Sequence, residues 1–136
     1  MCVKNTKVFY SGSSTIDQTL AQGALLDFDK VYSSYIDGNI KISVPGLYMV
    51  VADASGTAAA AGNIGIQLTE NGSPLESYQS VAYSTGPTGP AHVGFSAIVR
   101  VDPTTCRYID NSVTIGIAST EADATFSNAS LTIVRL

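Results

Sequence analysis

The sequence predicts an all-β fold: two antiparallel sheets packed face to face as a jelly-roll sandwich. Three observations point there. Apolar residues recur at every second position in about eight to ten short runs, broken by Gly, Pro, Asn and Ser. No segment carries a helical repeat; the best candidate, "TAAAAGN" at residues 57–63, is four alanines between Gly56 and Gly62, too short to nucleate a helix, and reads as a loop. Charged residues make up 13% of the 136, about half the usual share for a soluble domain, so part of the surface is expected to be covered by another subunit.

The runs follow in order. Val8 and Tyr10 open a short first strand within residues 1–19, which are expected to form an N-terminal arm docking on a partner through Val3, Val8, Phe9 and Tyr10. Residues 20–136 are then the sandwich domain. "GALLDFDK" (23–30) puts Leu26 and Phe28 on one face of a strand and Asp27 and Asp29 on the other. Ile40, Ile42 and Val44 alternate with Lys41 and Ser43 up to a turn at Pro45-Gly46. "NIGIQLT" (63–69) alternates Ile64, Ile66 and Leu68 with Gly65, Gln67 and Thr69. Asn71-Gly72 is a hairpin turn signal, and "LESYQSVAY" (75–83) is its return strand. "STGPTGPAH" (84–92) holds two collagen-like triplets, far too few for a triple helix, and reads as a loop. "HVGFSAIVRVD" alternates Val93, Phe95, Ala97, Val99 and Val101 with His92, Gly94, Ser96 and Arg100; "SVTIGIAST" and "ASLTIVRL" supply the last two strands.

Between Leu47 and Ala52 the alternation stops: Leu47, Tyr48, Met49, Val50, Val51 and Ala52 are apolar on both faces. Fully apolar strands belong to parallel sheets covered by helices, and this chain has no helix to do the covering. One face fills the sandwich; the other needs a second copy of the same sheet. Ile133, Val134 and Leu136 repeat the pattern at the end of the chain. The residues expected in the core or at the subunit contact are Tyr48, Val50, Ala52, Ile115, Ile117, Leu131, Ile133, Val134 and Leu136, with Leu47, Met49 and Val51 on the opposite parity.

The composition argues against several functions. Net charge is −4, and the seven Lys and Arg form no stripe that would track a phosphate backbone, so nucleic-acid binding is not expected. No run reaches the ~18 apolar residues of a membrane-spanning helix. Cys2 and Cys106 fit no metal-ligand spacing and read as free thiols, a disulfide between them being the alternative. The start of the chain has no apolar segment of the secretory type. His92 has no G-x-S-x-G nucleophile nearby and reads as a surface residue at the edge of the Gly86-Pro87-Thr88 loop, a stretch that could face a ligand. Asp27 and Asp29 read as a solvated strand face, and Asp53, Asp102, Asp110 and Asp123 as turn caps at strand ends. Tyr32, Tyr35, Tyr78, Tyr83 and Tyr108 could stack on a sugar, but half-buried strand tyrosines are the ordinary alternative. No catalytic residue, metal or cofactor is expected.

"IKISVPGLYMVVA" (40–52) resembles the core motif of the C1q/TNF-like jelly-roll family: an aromatic or apolar residue, five residues, then G-x-Y-x-F-x-[FY]. Ile40, Gly46, Tyr48, Val50 and Ala52 occupy its positions. "IQLTENGSPL" is similar to the family's Asn-Gly hairpin, and "AIVRVD", "NSVTIGIAS" and "ASLTIVRL" follow in the family's order, so the resemblance spans about residues 20–136. Val50, Ala52 and Ile40 replace family aromatics, a pattern similar to the divergent bacterial and bacteriophage versions, which are likewise small and Ser/Thr/Gly-rich. The resemblance implies a compact homotrimer with the inner sheets of three jelly rolls packed about a three-fold axis.

The expected function is a non-enzymatic structural or attachment protein of a bacteriophage virion: head fibre, capsid decoration or tail receptor-binding trimer. Its partners would be capsid or tail proteins, or a glycan or receptor on the host surface; it would be made in the host cytoplasm and released by lysis. A bacterial surface or spore-coat module and a carbohydrate-binding module are the alternatives.

Overall fold

The computed structural model describes residues 9–32, 35–36, 38–103 and 112–136. Cys2, Val3, Val8, Cys106 and Tyr108 lie outside them. The regular elements among the described residues are strands: β1 (Phe9–Ser14), β2 (Gln18–Leu20), β3 (Lys30–Tyr32), β4 (Tyr35–Ile36), β5 (Asn39–Ile42), β6 (Gly46–Ala58), β7 (Gly62–Glu70), β8 (Ser73–Ser84), β9 (Ala91–Val101), β10 (Val113–Ser119) and β11 (Ala124–Arg135). The larger sheet runs β3-β1-β11-β6-β9, with β2 also paired to β11; the smaller runs β4-β5-β10-β7-β8. From β8 onward the chain changes sheet at every connection, which is the weave of a jelly roll.

Alternation fills the space between the sheets. From the larger sheet come Tyr48, Val50, Ala52 and Ala54 of β6, Val93, Ala97, Val99 and Val101 of β9, and Leu131 and Ile133 of β11, all buried. They face Ile40 and Ile42, Ile64, Ile66 and Leu68, and Ile115 and Ile117 of the smaller sheet. β-branched and small residues dominate this list, as strands packed on both sides of a thin core require.

The β1 strand is an interior strand, paired with β3 on one side and β11 on the other, and β2 pairs with the early part of β11. The expected arm boundary at residue 19 therefore runs through the larger sheet. Two local expectations change. Residues 24–29 are extended, with Leu26 and Phe28 buried and Asp27 and Asp29 exposed, but they form one isolated bridge, Leu25 to Ala118, rather than a strand. Leu26 N–H donates to the Ile117 carbonyl at 2.7 Å and Ser119 N–H to that of Ala24 at 2.9 Å, so the segment flanks β10 where β5 has ended. The "TAAAAGN" loop is shorter than read: Thr57 and Ala58 still pair with Thr125 and Ala124, and only residues 59–61 turn.

The β7–β8 hairpin closes through Asn71 (φ 52°) and Gly72 (φ 84°), between paired Glu70 and Ser73. Positive φ at both central residues defines a type I′ turn, whose twist matches that of its strands. Asn71 is held twice: its N–H donates to the Thr114 carbonyl at 2.9 Å, and its Oδ1 accepts from Thr114 N–H at 3.0 Å. Gly72→Ala is expected to cost about 1–2 kcal/mol, the penalty of a Cβ in the left-handed region, and to lower the Tm by a few degrees in thermal melts.

Candidate functional site

The parity left open by the sequence is settled by register. Tyr48, Val50 and Ala52 point into the core; Leu47, Met49 and Val51 point out of the larger sheet and are exposed. Their cross-strand partners extend the outward face. One row reads Phe9, Val134, Met49 and Ile98 across β1, β11, β6 and β9. The next reads Tyr32, Ser11, Thr132, Val51 and Ser96. On the other side Leu136 N–H donates to the Leu47 carbonyl at 2.8 Å, and Leu47 pairs with Arg100. Phe9 and Tyr32 rings lie 6.0 Å apart.

Eight large apolar side chains thus share one end of this face: Phe9, Tyr32, Leu47, Met49, Val51, Ile98, Val134 and Leu136, with exposures from 36% for Val134 to 66% for Leu136. Only three other large apolar side chains are exposed among the described residues, so the concentration is a property of this face. A contiguous apolar patch on a folded domain marks a contact surface. The other end of the same face is polar: Ser13, Ser130, Asp53, Asn128, Ser55 and His92 line a shallow pocket of about 210 Å³.

His92 lies on β9, one residue after the strand begins at the edge of the Gly-Pro loop. Its Nδ1 is 3.1 Å from Ser55 Oγ and its Nε2 3.2 Å from Asp53 Oδ1. Ser, His and Asp in sequence of contact invite a comparison with a nucleophilic triad. The surroundings argue otherwise. The imidazole and carboxylate are 65% and 50% exposed, and β6 is an interior strand whose N–H groups lie in the sheet plane, taken up by β9 and β11. Among the described residues no group of three metal-ligating side chains comes together.

Of the other residues singled out, Leu131, Ile133, Ile115 and Ile117 lie in the core, Val134 and Leu136 on the apolar face. Phe9 joins that face and Tyr10 is buried beneath it. The loop at Gly86, Pro87 and Thr88 is a tight turn. Ser84 Oγ accepts from Ala58 N–H at 3.0 Å and donates to the Gly89 carbonyl at 2.7 Å, leaving Pro87 and Thr88 exposed at the tip. The reading missed Ile98 and Tyr32 as surface-contact residues. Ile98 was legible: it is the one large apolar residue on the polar parity of β9.

Beneath the patch, Tyr48 donates its hydroxyl to the Val44 carbonyl, and its ring lies 6.2 Å from that of Tyr10. Burial raises both phenols, Tyr10 to about 12, with Tyr48's proximity and hydrogen bond adding to the rise. Tyr48 gives its one proton to the Val44 carbonyl, so Tyr10 is the donor of the pair. A raised phenol contributes stability that is fully present below the unfolded value of about 10 and is lost as the pH climbs through the folded value. Thermal melts are expected to show Tm falling between about pH 10 and 12, with a shallower fall in Tyr10→Phe.

No family model matches the sequence, and no curated protein matches it by sequence. The fold has clear relatives among solved structures. The Eiger TNF of S. frugiperda superposes with a TM-score of 0.68 at 14% identity, covering 96% of this chain and 94% of that one. Murine APRIL at pH 5.0 superposes with a TM-score of 0.66 at 8% identity, covering 95% and 98%. The chain is a TNF-like jelly roll along nearly its whole length.

Proposed function

We propose that this chain is a non-enzymatic structural or attachment subunit that works as a homotrimer and belongs to a bacteriophage virion, as a head fibre, capsid decoration or tail receptor binder. The apolar end of the larger sheet's outer face carries the reading. Eight large side chains there remain in water in the single chain, and a second and third copy of the same sheet would cover them. Three-fold packing through inner sheets is what the family resemblance implies. The virion setting is supported by the similarity of this small, Ser/Thr/Gly-rich sequence to the bacteriophage versions of the fold.

Light scattering on the purified chain tests the assembly: the expected mass is three times the 14.1 kDa of one chain, and a stable monomer would overturn it. Mass spectrometry of purified particles tests the setting. The chain should co-purify with capsid or tail proteins, and its absence from particles would leave the bacterial-surface alternative standing.

A further inference from the structure

Outside the larger sheet, the exposed large apolar side chains among the described residues are Ile16, Val81 and Tyr83. Val81 and Tyr83 are paired with Gly65 and Asn63, on the parity opposite to the buried Ile64 and Ile66, so both stand on the outer face of the smaller sheet. Val81 borders a groove of about 590 Å³, a volume typical of small-ligand sites. Gln67 and Gln79, directly opposite each other on β7 and β8, form one wall; Gln22, Glu76 and Glu121 supply further polar groups. These come from four separate parts of the chain.

Behind the groove, two glycines sit against buried polar atoms. A Cβ on Gly65 would lie 2.2 Å from Thr120 Oγ1, and one on Gly116 would lie 2.7 and 2.8 Å from Asn39 Oδ1 and Thr69 Oγ1. Two glycines therefore make room for three polar atoms. All three atoms are buried and have no hydrogen-bond partner, and Thr69 as a whole is only 5% exposed. Buried polar atoms without partners are rare and call for a reason. Thr69 and Thr120 both line the groove, and rotation about χ1 exchanges a threonine's methyl for its hydroxyl. A hydroxyl-bearing ligand would then satisfy groups that the folded chain leaves unpaired.

We propose that this groove binds a neutral glycan. Amides both donate to and accept from sugar hydroxyls, and carboxylates accept from them. Among the described residues no Lys or Arg lines the groove, while Glu76 and Glu121 do, so a sialylated or phosphorylated sugar meets like charge. Val81 in the lining, and Tyr83, 62% exposed two residues further along the same outer face, offer an apolar surface for the C–H face of a sugar ring that reaches past the groove. The biological role of the site rests on the attachment reading; its chemistry does not, because the groove lies on the other sheet from the apolar patch.

The test is a screen of the full chain against neutral, sialylated and phosphorylated glycans, followed by calorimetric titration of the best binder. A neutral glycan should bind, with affinity falling about tenfold or more in Gln79→Ala and in Tyr83→Ala, the loss of one or two good contacts. Thr69→Val should weaken binding several-fold without lowering the Tm, because the hydroxyl it removes has no partner in the fold. No bound glycan, binding confined to anionic glycans, or full affinity in both Gln79→Ala and Tyr83→Ala would overturn the site. Light scattering on the same samples keeps the two readings apart. A trimer that binds no glycan overturns the groove alone, and a monomer that binds one through Gln79 overturns the assembly alone.

Discussion

Met49→Asp is expected to convert the proposed trimer to monomer while leaving the fold intact. Met49 sits mid-row between Val134 and Ile98, with Leu47 and Val51 on either side along its own strand. In a single chain its side chain is exposed, so a carboxylate there stays hydrated and costs the fold little, within about 0.5 kcal/mol. In the assembly the same carboxylate would be stripped of water among apolar side chains. That penalty is several kcal/mol per ion, it recurs in every subunit, and the three copies repel. Light scattering should therefore report the single-chain mass at concentrations where the natural sequence is a trimer. Circular dichroism should be unchanged. Because assembly adds stability by mass action, the Tm of the natural chain should rise with concentration and that of the variant should not. Val81→Asp, an exposed apolar residue on the smaller sheet, should leave the mass at three chains. A variant that still assembles would show that the patch is not the contact.

Much of this was legible in the sequence, and the reason is periodicity. A two-residue repeat reports which side chains share a face, so the pairing of Leu26 with Phe28, the inward set of β7 and the I′ turn at Asn71-Gly72 followed from local pattern alone. The same repeat cannot say which face is inside when both are apolar, as in Leu47–Ala52. That depends on the strand neighbours, and β6 lies between β11 and β9, both far along the chain. The apolar patch was hidden for the same reason. Its wholly apolar row joins Phe9 to Val134 to Met49 to Ile98, and only the register of three strand pairs places these residues side by side. The groove on the smaller sheet is less legible still, since residues 22, 67, 79 and 121 meet there with no shared motif. Bulges add to the difficulty: β11 carries an extra residue between Phe126 and Asn128, so its buried set passes from Ala124 and Phe126 to Ala129, Leu131 and Ile133; β7 keeps its alternation, and the register shift beside Gln67 and Thr69 is taken up in β8 between Gln79 and Pro74.

Tyr48→Ala should produce the largest loss of stability of any single change discussed for this core. The side chain is fully buried, packed near Tyr10, and deleting an aromatic ring at such a site costs about 3–5 kcal/mol. For a chain of this size the Tm should fall by roughly 10–20 °C. Tyr48→Phe isolates the hydroxyl. It ends the bond to the Val44 carbonyl and removes the acceptor for Tyr10, leaving two buried groups unpaired at a cost of about 1–3 kcal/mol. Tyr10→Phe removes only the first donor of the relay, while Tyr48 still bonds to Val44, so it should cost less than Tyr48→Phe. The expected order, Tyr48→Ala above Tyr48→Phe above Tyr10→Phe, is read from thermal or denaturant melts; equal losses in the two Phe variants would show that the relay does not exist. Tyr48 and Met49 are adjacent in sequence and opposite in parity, which makes them a paired test of the whole reading. Tyr48→Phe should lower stability and leave the assembly mass alone, whereas Met49→Asp should abolish assembly and leave the single-chain fold alone. Only a β6 strand with Tyr48 in the sandwich and Met49 at the subunit contact yields both results.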